Sequence, residues 1–504
     1  MPISFNNLPA NVRVPFFYVE VDNSQASFFQ QQATALLIGQ KLSGGTAALD
    51  TPLLITQVDQ AKTLFGVGSM LARMVEKFKA NNVFTEVWAV AVTDNGSGVA
   101  AEGTVTITGP STSSGVLNLY IAGQRVQVLV AAGDTATEIG DAIEAAVNAL
   151  TSLPVTASNT TGTVTMTARH VGEIGNDIDL RVNYLGELGG EQTPAGVGVS
   201  IVPMASGAAN PSLAAALAAL GDKEFDTIVM PYTDTTSLDA MQTEMNDVTG
   251  RWAWSRQIYG HVFSAKKGTV GTLGTLGNSR NDQHMTIIGF NDAPSPTYEW
   301  AAAWGAQAAL ALSNDPARPL QTLPLLGILG PPLPSRFTLT EQQTLLFDGI
   351  ATWVVGPGGT VRMSRSITTY QKNVFGEPDP SYLDVETLAT LARIIRTLKQ
   401  AITQKFSRHK LANDGTRFGE GQAIVTPNII RAELIARYSE MEFLGLVENT
   451  TAFTAALIVE RNVTDPNRVD VLFPPDLVNQ LRIFALLAQF RLQFPTQSGS
   501  SVAA

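Results

Sequence analysis

The feature that most constrains the fold is an interrupted pattern of short apolar strands and helices. The pattern begins at residue 33 with ATALLIG, reaches the apolar run EVWAVAV, and stops at Thr93. It resumes near Ser212 with a helical pattern followed by the strand-like run DTIVMPY. Residues 93–207 instead hold short strand patterns between Gly and Asn turns, with one helical pattern over 135–150. The sequence therefore predicts an α/β domain whose chain is interrupted by a small β-rich domain.

The length of 504 residues exceeds what one core usually supports, so we expect several domains. Apolar residues recur at helical spacing from Gln60 to Lys79, and a long amphipathic helix is predicted over 384–406. The predicted fold class is α/β and α+β, multidomain. The expected segments are an N-terminal extended arm (1–32), an α/β core in two parts (33–92 and 208–376), an inserted β-rich domain (93–207), a C-terminal α+β domain (377–484), and a C-terminal arm with a polar tail (485–504).

Composition excludes several classes of function. Hydrophobic residues make up 44% of the chain and charged residues 15%, which rules out intrinsic disorder and suits a chain that covers surface against neighbours. The net charge of −11 disfavours a nucleic-acid partner, and the lack of cysteine excludes disulfides. Neither a secretory signal nor an apolar stretch of membrane-spanning length is evident in the sequence. We therefore expect no membrane insertion and a protein first held in a cytoplasm.

Both ends of the chain show the alternation of a half-buried strand. The opening run NVRVPFFYVEV and the closing run QFRLQF each place large apolar side chains on one face. A terminal strand that does not pair within its own sheet can pair with the open edge of another chain. This favours assembly over catalysis as the function. The predicted inter-subunit contacts are Val12, Val14 and Phe16 at one end and Phe490, Leu492 and Phe494 at the other.

Motifs that would carry chemistry are weak. Glycines recur every third residue over 268–277, but the lysines precede them, unlike a phosphate-binding loop, so a flexible loop is predicted there. A serine hydrolase of the subtilisin type could use Asp226 or Asp234 with His261, yet no G-x-S-x-G context is present. We predict no catalytic residue, no cofactor and no metal site.

The family resemblance rests on long runs of sequence. The stretches SFNNLPANVRVPFFYVEVDNS and ALLIGQKLSGG, and the C-terminal run KLANDGTRFGEGQAIVTPNIIRAELIARYSEMEFLGLVENTTAF with its continuation to LLAQFRLQF, resemble tail sheath proteins of Mu-like contractile-tailed bacteriophages. The resemblance covers both ends and, more loosely, the middle; the inserted segment adds little to it.

This resemblance implies a structural subunit, not an enzyme. Such proteins form stacked hexameric rings around a tail tube, pair their terminal arms with neighbours, and have a subtilisin-like α/β middle domain. Contraction drives the tube through the bacterial envelope during genome delivery. The implied partners are copies of the chain, the tail tube protein, and baseplate and tail terminator proteins, and the implied location is the virion. A sheath from a phage-derived bacteriocin or injection device, a subtilisin-like hydrolase, and a tail-tube or capsid protein remain alternatives.

A basic cluster marks the end of the predicted helix over 384–406. One interpretation is a solvated helix end whose positive charges complement the helix dipole. The other, suggested by the resemblance, is a surface that faces an acidic tail tube. The residues of this cluster are Lys399, Lys405, Arg408, His409 and Lys410.

Overall fold

The computed structural model describes residues 33–492. The first part of the chain forms three strands and two helices of an α/β domain. The apolar runs ATALLIG and EVWAVAV become neighbouring parallel strands, as their lack of a polar face predicts. The elements are β1 (Thr34–Gln40), β2 (Leu53–Ile55), α1 (Val58–Phe65), α2 (Met70–Asn81) and β3 (Glu86–Val92).

The predicted helical run from Gln60 to Lys79 is two helices, not one. The chain breaks at Gly66 and Gly68, whose φ angles of 89° and 80° are ones that residues with a side chain rarely adopt. Ser69 then begins α2, because its hydroxyl accepts a hydrogen bond from the Ala72 N–H. The helical spacing of apolar residues continues through this break and therefore does not indicate it.

The β-rich segment forms a compact unit with its own apolar core. A four-stranded sheet (order β10-β4-β8-β7) and a three-stranded sheet (β6-β5-β9) are both antiparallel, and α3 packs between them. The strands β7 and β10 were missed from sequence. The elements are β4 (Ala100–Thr108), β5 (Gly115–Ile121), β6 (Gln124–Val130), α3 (Ala136–Ala149), β7 (Val155–Thr160), β8 (Thr163–Val171), β9 (Leu180–Val182) and β10 (Gly198–Ala205).

The chain then returns to the first sheet. β1 pairs in parallel with both β3 and a strand that follows the β-rich segment, with Ala35 opposite Thr227, so both parts share one sheet and one core. The strands of this second part complete a sheet of order β15-β14-β13-β12-β11-β1-β3-β2. The elements are α4 (Ala214–Leu220), β11 (Thr227–Val229), α5 (Thr235–Met245), β12 (His261–Lys267), α6 (Val270–Asn278), β13 (Met285–Phe290), α7 (Thr297–Asn314), α8 (Leu339–Phe347), β14 (Ile350–Val355) and β15 (Val361–Arg365).

The glycine run over 268–277 is helix α6, so the prediction of a flexible loop was wrong. Thr269 begins the helix by accepting a hydrogen bond from the Thr272 N–H. A Cβ on Gly277 would lie 1.9 Å from the backbone oxygen of Asp348. A Cβ on Gly274 would lie 2.5 Å from Oδ2 of Asp348. Glycines at this spacing lie along one side of a helix, where they let α6 approach the α8–β14 connection closely.

The C-terminal region has a small aromatic core of its own. The Tyr438 and Phe453 rings stack with centroids 3.7 Å apart, and Phe473 meets Phe453 edge-on at 4.8 Å. Among residues 33–492, none of the helices combines the length and apolar character that spanning a bilayer requires. The elements are α9 (Val385–Phe406), β16 (Lys410–Leu411), β17 (Ile424–Val425), α10 (Pro427–Phe443), α11 (Thr450–Ala456), β18 (Ile458–Arg461) and β19 (Val469–Leu472).

Candidate inter-subunit surfaces

The chain leaves its own body at Arg482. Before that point, the Val478 N–H donates to Leu446 O at 3.3 Å and the Gln480 side-chain amide donates to Ala317 O at 3.3 Å. Arg482 Nη2 then lies 2.8 Å from Glu386 Oε1 and 3.2 Å from Asp384 Oδ1. We refer to Arg482, Asp384 and Glu386 as the Arg482 cluster. It ties the start of α9 to the last part of the chain that contacts the body.

The Arg482 cluster is buried, which makes its pairing important. The Glu386 side chain is fully buried and that of Arg482 is 10% exposed. Glu386 Oε1 also accepts a hydrogen bond from the Leu320 N–H. Burial raises the pKa of Glu386, while the charge of Arg482 opposes that rise. Asp384 has a second partner in Arg365, at 2.9 Å, so Glu386 is the carboxylate that depends most on Arg482.

Beyond Arg482 the chain exposes an apolar run, residues 483–492, to which the structure assigns no helix or strand. Soluble proteins rarely expose such a contiguous run unless another surface covers it. Phe490 and Leu492 of the predicted arm strand are 83% and 97% exposed, and their pairing with a neighbour stays a prediction. The large apolar side chains exposed in this run are Ile483, Phe484, Leu486, Leu487, Phe490 and Leu492.

Four of the six predicted arm residues lie outside the described part of the chain. They are Val12, Val14, Phe16 and Phe494.

The hairpin of β18 and β19 offers open strand edges. The two strands pair antiparallel, with Ile458 opposite Leu472, and neither has a further ladder partner among residues 33–492. Ile458 and Leu472 are 51% and 58% exposed. A two-stranded ribbon is marginally stable by itself, and its free edges are templates for an added strand. The hairpin is therefore a candidate acceptor for a strand of another chain.

At the other end, the chain enters the body beside α9. The Thr34 N–H donates to Asp226 Oδ2 at 2.9 Å, and its hydroxyl donates to Glu224 O at 2.8 Å. Arg396 of α9 lies 2.6 Å from Glu224 Oε1 and 2.7 Å from Asp226 Oδ1. We refer to Arg396, Glu224 and Asp226 as the Arg396 cluster. One helix thus holds both places where the chain ends meet the body.

A cleft of about 560 Å³ lies next to the Arg396 cluster. It is bounded by α7, α9 and the amino ends of β11 and β12, and Ala33 forms part of its wall. Ligand sites of parallel α/β sheets lie at the opposite, carboxyl ends of the strands. The position of the cleft therefore does not match that of an α/β enzyme site.

The residues considered for a hydrolase have structural partners instead. His261 Nε2 lies 2.8 Å from Thr286 Oγ1, and burial lowers the pKa of His261 to about 3. Asp226 pairs with Arg396 and Thr34, whereas Asp234 begins α5 by accepting a hydrogen bond from the Ser237 N–H. In this arrangement neither carboxylate orients the imidazole as a triad requires.

The residues of the basic cluster at the end of α9 have different surroundings. Lys405 Nζ pairs with Glu433, and Lys410 Nζ donates to Gln422 Oε1 at 3.3 Å. Lys399 instead borders the cleft. Arg408 and His409 are exposed, the latter with its ring edge-on to Phe406. Neither interpretation included the pairing of Lys405 with Glu433, and a tube-facing role of the cluster stays a prediction.

Comparison with known proteins decides the family. Residues 206–369 match the phage tail sheath protein central domain, and residues 377–491 match the phage tail sheath C-terminal domain. The Mu-like prophage FluMu tail sheath protein of Haemophilus influenzae is 44% identical over 494 residues, which cover 98% of this chain and 100% of that protein. The chain belongs to the phage tail sheath protein family. This sheath protein is thus a contractile-tail subunit and a structural component of the virion, not an enzyme.

Solved structures resemble the sheath protein at low identity. The sheath tail protein of Desulfitobacterium hafniense is 13% identical, with 93% of this chain and 97% of that chain covered and a TM-score of 0.47. That of Listeria innocua is 10% identical, with 89% and 92% covered and a TM-score of 0.45. The anti-feeding prophage helical sheath in its contracted state is 10% identical, with 96% and 99% covered and a TM-score of 0.40. With TM-scores below 0.5, these structures carry no conclusion about the surfaces described above.

Sequence reasoning missed the two ion-pair clusters of the sheath protein. Asp384 and Glu386 fit the acidic start of a helix, and that pattern alone suggests a complement to the helix dipole. In the structure neither caps α9, and both pair with Arg482. The signal that was available is Arg482 itself, a single charge inside the otherwise apolar run from Leu481 to Leu487.

Proposed function

We propose that this sheath subunit polymerises as stacked hexameric rings around a tail tube, and that its chain ends join neighbouring subunits by adding strands to their sheets. Contraction of this polymer drives the tube through the bacterial envelope. The tail tube, baseplate and tail terminator proteins are the proposed partners beyond the chain itself. We also propose that the parallel-sheet domain is subtilisin-like. The domain boundaries that we propose are the segment limits predicted from the sequence.

The observation that carries this proposal is the apolar run after Arg482. Its six large apolar side chains are exposed in the isolated chain. Covering one such side chain contributes roughly 1.5–3 kcal/mol as an upper estimate, so a partner surface would gain substantially by covering six. The Arg482 cluster supports the same function, because it fixes the point at which residues 483–492 leave the body while those residues stay exposed.

The β18–β19 hairpin is the proposed acceptor on the neighbouring subunit. Its strands lack further ladder partners within residues 33–492, and its apolar side chains are half exposed. An incoming strand with the alternation of Phe490, Leu492 and Phe494 would place one apolar face against it. Main-chain hydrogen bonds would then hold the added strand, and the alternation of its side chains would set its register.

The experiment is truncation after Arg482, which removes residues 483–504 and keeps the Arg482 cluster. We expect a folded subunit, judged by circular dichroism, that sediments as a monomer and builds no cylinders in electron micrographs. Truncation after Leu487 should have the same effect on assembly. Cylinders of normal length from either truncated protein would refute the role of the C-terminal arm.

A pair of point variants tests the proposed face of the arm. Phe490→Asp places a charge on the apolar face, whereas Gln489→Asp adds the same charge to the opposite face. We expect Phe490→Asp to raise the critical concentration for assembly about tenfold or more, because a charge buried against the acceptor would have to be desolvated. Gln489→Asp should assemble nearly as wild type. Equal effects of both variants would contradict a strand with one buried face.

A further inference from the structure

The cleft beside α9 has the build of a docking site for a short peptide. Apolar side chains line part of it, namely Leu312 from α7, Leu388 and Ala392 from α9, and Trp252. Polar side chains, including Gln400, also line it. The cleft volume of about 560 Å³ lies within the usual range of pockets that bind small molecules.

The chain itself supplies a peptide at this place. Ala33 is part of the cleft wall, and 32 residues precede it in the sequence. The residues immediately before Ala33 read ASFFQQQ, with Phe28 and Phe29 followed by three glutamines. An extended chain advances roughly 3.3–3.6 Å per residue, so Phe29 is tethered within about 14 Å of Ala33. Such a short tether gives the segment a high effective concentration at the cleft.

The chemistry of the segment matches the mixed lining of the cleft. Two phenyl rings suit the apolar side chains of Leu312, Leu388 and Trp252, and the three glutamines suit polar lining residues such as Gln400. We propose that residues 26–32 of the same chain bind in this cleft, with Phe28 and Phe29 against its apolar lining. The cleft then holds the root of the N-terminal arm against α9. This inference concerns one subunit and goes beyond the proposed function, since it does not require arm exchange.

Site-specific photo-crosslinking tests the contact directly. Phe29 is replaced by benzoylphenylalanine in the full chain, which keeps an aromatic ring at that position, and adducts are mapped by mass spectrometry. The labelled protein is mixed with an excess of ¹⁵N-labelled wild type before irradiation. We expect adducts on α7 or α9 residues of the cleft, within the same light-isotope chain. Adducts confined to the ¹⁵N chain, or elsewhere on the body, would overturn the proposal.

Thiol protection gives a second readout, made simple because the chain contains no cysteine. Ser313→Cys places a thiol in the cleft, and Ser279→Cys places one at the end of α6. Both serines donate to the carbonyl three residues earlier, so they are a matched pair. Replacing Phe28 and Phe29 by serine should speed maleimide reaction at Ser313→Cys about tenfold, since the segment would then leave the cleft more often.

The control thiol decides how this result is read. The reaction at Ser279→Cys should not change when the two phenylalanines are replaced. An unchanged rate at Ser313→Cys, or an equal increase at both thiols, would refute occupation of the cleft by residues 26–32. The outcome is independent of arm exchange, because it is read on unassembled subunits at a concentration below that of polymerisation.

Discussion

The Arg482 cluster makes the sharpest prediction about stability. Arg482→Met keeps the length of the side chain and removes its charge, which leaves Glu386 buried without the cation 2.8 Å away. At an effective dielectric constant of about 20, the attraction across 2.8 Å is roughly 6 kcal/mol before desolvation is counted. Removing one partner of such a buried pair costs about 3–5 kcal/mol, because the remaining charge is uncompensated. Asp384 is less affected, since it retains Arg365.

The measurement is amide hydrogen exchange, because a chain of several domains has no single unfolding free energy. The relevant amides are those of Leu320, which donates to Glu386, and of Val478, which donates to Leu446. We expect both to exchange roughly 10²–10⁴-fold faster in Arg482→Met, as the loss of about 3–5 kcal/mol requires. The Arg468→Met variant is the matched control. Its partner Asp470 is 2.5 Å away, but both side chains are exposed enough that the pair contributes at most about 1 kcal/mol.

The pH dependence follows from the sign of the pKa shift of Glu386. Burial raises this pKa in the folded protein, so the folded chain binds the proton more tightly than the unfolded chain does. The free energy of unfolding therefore falls as pH rises from the ordinary glutamate value toward the raised one. Because the charge of Arg482 opposes the rise, Arg482→Met should raise the pKa further. Its stability deficit should be small in acid, where Glu386 is protonated in both proteins, and should grow as pH rises through the raised pKa of Glu386.

A second substitution separates this reasoning from simple loss of packing. Adding Glu386→Gln to Arg482→Met removes the unpaired charge and keeps an oxygen that can accept from Leu320. The double variant should regain most of the lost protection and lose its pH dependence. If Arg482→Met exchanges like Arg468→Met, or if Glu386→Gln restores nothing, the buried pair does not hold the end of the chain as described.

Three further predictions concern packing, assembly and tube contact. Gly277→Ala should lower the free energy of local opening at α6 by about 1–3 kcal/mol, measured by amide hydrogen exchange, because its Cβ would meet Asp348 O at 1.9 Å. Gly271→Ala, whose Cβ would meet only Thr269 Oγ1 at 4.0 Å, should be neutral or stabilising. Leu472→Asp on the proposed acceptor hairpin should prevent cylinder formation in electron micrographs and leave circular dichroism unchanged, and normal cylinders would exclude that acceptor. Charge reversal of Arg408 and Lys410 should weaken cosedimentation with tail tubes and spare sheath polymerisation, and unchanged tube binding would discard a tube-facing role.

The elements that sequence predicted well are those that local periodicity determines. The amphipathic pattern over 384–406 becomes α9. The helix over 135–150 becomes α3, which begins with a capping box of Thr135 and Glu138 that is visible in the sequence. In each of these, the residues that decide the structure lie within one or two turns of one another.

The predictions that failed or were absent depend on contacts between distant parts of the chain. The glycines of α6 make sense only once Asp348 is known to lie against them, about 70 positions later. Arg482 and Asp384 are 98 positions apart, and nothing in either local sequence indicates the pair. The cleft likewise needs α7, α9 and two strands to be placed before it exists. Single-sequence patterns do not contain these distances.

Helix α9 is the part of the subunit that relates one end of the chain to the other. The Arg482 cluster lies at its start, and the Arg396 cluster lies 10 to 12 residues along it, a distance of roughly 15–18 Å at 1.5 Å per residue. Because a helix of this length is stiff, the points where the two ends meet the body are held at a nearly fixed separation. In the proposed assembly, a change in the spacing of neighbouring subunits is then accommodated in the chain beyond these two clusters. A subunit tied in this way keeps its body intact while its neighbours move, because strain acts on the chain outside the clusters before it acts on the core.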